Sequence, residues 1–62
     1  MTRKGGEIWA DMTAAMQIVS GYIRAADMLK AHDGMVVLSG LCDEMRDALR
    51  EAIDAAGLER TP

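Results

Sequence analysis

The sequence predicts an all-α fold: an antiparallel two-helix hairpin that dimerises into a four-helix bundle. Three observations lead there. Half of the 62 residues are hydrophobic, yet Phe is absent and Trp and Tyr occur once each, so Ala and six Met supply much of the apolar surface. That composition favours helices over sheets. Two long stretches carry apolar residues at alternating spacings of three and four. Residues 12–23, MTAAMQIVSGYI, carry no formal charge in a chain that is 27% charged.

The elements follow in chain order. Residues 1–6 read as a flexible N-terminus, because Gly5 and Gly6 disfavour helix and a terminus with nothing to bury frays. A helix is expected over about 7–32. Ile8, Met12, Ala15, Val19, Tyr22, Ala26 and Leu29 form its stripe, which Trp9, Met16 and Ile23 widen on one side. The turn falls at 33–34, where Gly34 of AHDG suits the left-handed conformation that ends helices. A second helix is expected over about 35–56, capped by Asp33; alternatively Ser39 caps a later start and MVVL is a buried connection. Its apolar arc runs from Leu38 and Leu41 through Cys42, Met45, Ala48, Leu49, Ala52 and Ile53 to Ala56. Charges fill the other side, with Asp43–Arg46, Asp47–Arg50 and Arg50–Asp54 spaced as ion pairs. Gly57 suits the C-terminal cap, Leu58 can fold back onto Ile53, and 58–62 is a tail. The core expected from these stripes is Met12, Met16, Val19 and Ile23 against Leu38, Leu41, Met45, Leu49 and Ile53.

A chain this short buries only roughly 60% of the surface it exposes when unfolded, so it needs further support. Cys42 and His32 are the only residues of their types, which rules out an internal disulfide and argues against a zinc site. Oligomerisation or docking is left. The first helix points the same way. Its polar residues, Thr13, Gln17, Ser20, Arg24 and Asp27, make a narrow strip, leaving an apolar or small arc roughly 240° wide. One antiparallel neighbour covers about half of such an arc. Trp9, Ala14, Ile18, Gly21, Tyr22, Ala25 and Met28 are therefore the expected dimer or partner interface, with Gly21 allowing close helix approach. A monomeric hairpin, and a first helix docked on a different protein, stay open.

For chemistry, Asp43, Glu44, Asp47, Glu51 and Asp54 lie on a solvated face among arginines, a soluble exterior rather than a catalytic pair. Cys42 reads as a small core residue and His32 as a turn residue, about two helical turns apart and so not a catalytic couple. Six methionines and the lone Trp and Tyr fit core packing or an adaptable interface. No cofactor or metal is expected, and the chain does not read as an enzyme. Basic residues are scattered and the net charge is −3, which argues against nucleic acid and anionic lipid. No signal-peptide pattern or membrane span is present, so a cytoplasmic protein is expected.

Two long helices, the HDG turn at 32–34 and a lone Cys early in the second helix make the chain resemble the Rop family of plasmid copy-control proteins. The resemblance implies an antiparallel four-helix dimer that binds paired RNA loops across its first helices. Here the matching strip, Thr13, Gln17, Ser20 and Arg24, holds one positive charge and no aromatic. The expected function is therefore a phage- or mobile-element-type interaction protein: a homodimer that binds and inhibits a larger protein. A Rop-like RNA binder and a small-ligand-sequestering bundle are the alternatives.

Overall fold

A computed structural model describes residues 3–57. Two helices, α1 (Gly5–Arg24) and α2 (Met28–Ala56), run antiparallel and pack along most of α1. No other regular element occurs among the described residues.

The hairpin turns eight residues earlier than the HDG motif suggests. The α1 chain stops with the N–H of Ala26 donating to the Ile23 carbonyl at 3.0 Å and that of Asp27 to Tyr22 at 2.9 Å. This pair of bonds is the Schellman closure, and it needs a left-handed residue. Ala26 fills that role at φ 58°. Asp27 then caps α2, its side chain accepting from the Lys30 N–H at 3.2 Å. One residue therefore ends the first closure and begins the second helix. The expected helix 7–32, turn 33–34 and helix 35–56 are corrected accordingly: Ala25–Asp27 is the turn, and residues 28–34 belong to α2. Neither Asp33 nor Ser39 is a cap.

Gly34 is inside α2 for a different reason from the one its type suggested. A Cβ built on it would stand 2.6 Å from Val19 Cγ2, so glycine here is what lets the two helices meet. Around this contact, Gly5, Ile8, Met12, Ala15, Val19 and Tyr22 of α1 face Ala31, Gly34, Leu38, Leu41, Met45 and Ala48 of α2. All are buried or half-buried, and both rows step by three and four. This is the three-and-four spacing by which one face of a helix packs on a neighbour. Ile8, Val19 and Ala31 are the buried members of this seam.

The first helix also begins two residues earlier than expected. Gly5 and Gly6 are helical, and Gly5 packs near the Met45 sulfur. Arg3 hydrogen-bonds Asp11 of α1 and grips Glu44 of α2 through Nε at 3.1 Å and Nη2 at 2.9 Å. These bonds, Asp11 first and Glu44 second, raise the Arg3 pKa above its ordinary value. A raised pKa adds stability at every pH below the ordinary arginine range, and the contribution is lost only as pH climbs through the folded value. Of the expected flexible segment 1–6, Gly5 and Gly6 belong to α1.

With 29 residues to α1's 20, α2 is nine residues longer and sets the 45 Å long dimension of the molecule. Its last turns run past the start of α1. Gly57 closes α2 at φ 68°. The expected Leu58–Ile53 contact and the 58–62 tail lie outside the described residues. Of the expected ion pairs, Asp43–Arg46 (3.6 Å) and Arg50–Asp54 (2.9 Å) are present, and Arg46 also reaches Asp47 at 3.6 Å.

Candidate functional site

The seam divides the hairpin into two flanks of different character. At about 100° per residue, Ile18 and Ala25 of α1 fall on the same side as Lys30, Asp33 and Val37 of α2. Near the turn these make a cleft of about 380 Å³ lined by Ala15, Ile18, Tyr22, Lys30, Asp33, Gly34 and Val37. Ile18 and Val37 stand on opposite banks, 56% and 61% exposed. The Lys30 ammonium lies 5.8 Å from the centre of the Tyr22 ring, near the Asp27 carboxylate at 3.9 Å. Asp11 and Glu44, joined by Arg3, occupy this same flank nearer the N-terminus of α1.

The opposite flank holds Trp9, Met16 and Ile23 on α1, and Met28, Met35, Cys42 and Leu49 on α2. Both rows recur every seven residues. Towards the far end it deepens into a groove of about 370 Å³ between Met12, Cys42, Met45, Leu49 and Ile53, rimmed by Arg46 and Arg50.

Several expected placements change. Met16, Ile23 and Leu49, assigned to the core, are 42%, 55% and 54% exposed, because a single neighbour covers only the seam and these lie about 70° off it. Met12, Leu38, Leu41, Met45 and Ile53 are half-buried, and Val19 is buried. Cys42 is exposed rather than packed inside. The expected interface residues divide: Ile18, Tyr22 and Ala25 border the cleft flank, with Ala14 and Gly21 further round α1, while Trp9 and Met28 sit on the other. A Cβ at Gly21 would meet nothing within 4 Å, so the close approach assigned to Gly21 belongs to Gly34.

Leu29, at the end of the first expected stripe, is 81% exposed. Its spacing from Tyr22 and Ala26 matched the stripe, but the chain reverses between them. The spacing also did not bring out the exposure of Val36 and Val37 on α2. Its signal was the MVVL run, an uncharged stretch that exceeds the needs of an amphipathic helix.

Along the outer face of α1, a shallow depression of about 410 Å³ is lined by Thr13, Met16, Gln17, Ser20 and Arg24. Arg24 is its single cation. No group of three or more His, Cys, Asp or Glu placed to hold a metal occurs among the described residues, and no helix there is long and apolar enough to cross a membrane.

Fold and flanks define a class: an antiparallel helical hairpin with apolar side chains displayed on both sides of its seam. Within that class the HDG segment is helical and Cys42 stands at the middle of α2, so the features that suggested a Rop-like hairpin are not features of its turn. No family model matches the sequence, and neither a curated protein nor a solved structure matches it.

Proposed function

We propose that this chain is a non-enzymatic interaction protein, a helical hairpin that binds a larger protein and inhibits it by occupying its surface. The observation that carries the reading is the turn-end cleft. Ile18 and Val37 stand more than half exposed on its two banks, with the aromatic Tyr22 and the opposite charges of Lys30 and Asp33 lining the same cleft. An aromatic side chain set among apolar ones, with polar groups at the rim to fix orientation, is the arrangement protein interfaces favour. The fitting partner presents a helix with one or two large apolar side chains and a flanking charge of either sign.

The test is capture from the native host with the wild-type chain beside Ile18→Asp and Val37→Asp. The expected result is a protein retained by the wild type at physiological salt and lost from both variants. The purified partner's activity then falls when the hairpin is added. A partner retained equally by the variants, or no partner at all, overturns the reading.

A further inference from the structure

We infer that the other flank, built by Trp9, Met16, Ile23, Met28, Met35 and Leu49, is the docking face for a second copy of this chain, the two hairpins closing into a four-helix bundle. Three observations commit it to that occupant. The first is area. The chain exposes 5016 Å², against roughly 3,900 Å² for a compact monomer of its 6.7 kDa mass. The excess, roughly 1,100 Å² over the whole molecule, is enough to supply the about 800 Å² that one partner contributes to a stable interface.

The second is pattern. A two-stranded coiled coil needs two apolar positions per heptad, whereas a bundle helix needs a third beside them. Both helices carry that third position, every seven residues, and on the same flank: Trp9, Met16 and Ile23 on α1; Met28, Met35, Cys42 and Leu49 on α2. Counted from the Val19–Gly34 contact, Ile23 and Met28, Met16 and Met35, and Trp9 and Cys42 each stand within about 3 Å of one another's level along the axis. A face of two parallel rows at the hairpin's own interhelical spacing is matched by another hairpin presenting the same two rows.

The third is charge. The six side chains are between 42% and 58% exposed, and neither row contains a charged residue. Arg46 and Arg50 rim this flank only at its far end, so over the rest of the face a second copy brings no like charge, despite the net charge of −3. The opposite flank, with Asp11, Lys30, Asp33 and Glu44, lacks that property.

Sedimentation equilibrium of the full chain under reductant, from low micromolar to millimolar concentration, tests the assignment. The expected mass is twice 6.7 kDa, with emission of the single Trp9 shifting to shorter wavelength as the dimer forms. Met16→Glu and Met35→Glu each weaken association roughly a hundredfold, the cost of placing an unpaired charge in an apolar interface. Ile18→Glu and Val37→Glu, on the cleft flank, leave it within about threefold, in line with exposed charges. Helicity by circular dichroism accompanies each variant. A monomer at millimolar concentration, or equal weakening from both flanks, overturns the inference; if a variant fails to fold, a wild-type dimer whose Trp9 emission does not shift overturns it too. The outcome is separable from that of the proposed function, because the two faces share none of the substituted residues.

Discussion

At Ala26 an alanine holds φ 58°, a conformation in which Cβ crowds the following carbonyl and glycine does not. Ala26→Gly removes that crowding, and the added freedom of the unfolded chain offsets part of the gain. The expected net is a stabilisation of about 0.5–1 kcal/mol, read from urea denaturation. Gly34 is the reverse case. Its missing Cβ is the space that Val19 Cγ2 occupies, and Val19 is buried with little room to move. Gly34→Ala is expected to cost about 1–2 kcal/mol in spite of alanine's better helix propensity. In a Val19→Ala background that cost should largely vanish, a coupling that a double-mutant cycle reads directly. Gly21→Ala meets open space and is expected to stabilise by about 0.5–1 kcal/mol. An equal response of Gly21 and Gly34 to alanine would refute the helix approach described here.

The turn joins two helices through Asp27, which ends the Schellman closure of α1 and caps α2. Asp27→Ala is expected to cost about 1 kcal/mol, whereas Asp27→Asn, which keeps the accepting oxygen, should cost little. At the other end, Arg3→Ala releases the grip on Asp11 and Glu44. Faster hydrogen exchange in the first turn of α1 is expected, with the difference from wild type shrinking at high salt. The two ends also show what the sequence made legible. Two helices and their seam were readable, because Ile8, Met12, Ala15, Val19 and Tyr22 keep a strict rhythm, as do Leu38, Leu41, Met45 and Ala48. The turn was not. Its left-handed residue is Ala26, which carries none of glycine's signal, while the obvious stop signal, Asp33–Gly34, is spent on helix packing. The rhythm also ran on through Ala26 to Leu29 by coincidence of spacing. Met16, Ile23 and Leu49, expected in the core, stand exposed on the single hairpin for a related reason. Periodicity shows which side of a helix is apolar but not how wide a strip one neighbour can cover.

For the whole molecule, a two-helix seam leaves three buried apolar residues among the described residues, a small core. If the Trp9–Leu49 flank supplies the missing burial, folding and association are coupled by mass action, and the thermal midpoint must rise with protein concentration. The contribution of salt then identifies the force. Interfaces held by ion pairs weaken as salt screens them, within about 10 Å at 0.1 M. Neither row of this flank contains a charge and only Arg46 and Arg50 rim its far end, so dimer affinity should change far less with sodium chloride than that of an ion-paired interface. Sulfate, which is excluded from apolar surface, should strengthen it. Salt reaches the two flanks differently, because the cleft flank displays Lys30 and Asp33 where a partner would meet them. Binding of a larger protein there should weaken in high salt while the dimer persists. Calorimetric scans at several concentrations, with and without sulfate, check the first half of this expectation, and a salt titration of the captured complex checks the second. A midpoint independent of concentration would place the stability of the hairpin in its own seam and leave the apolar flank without a role in folding.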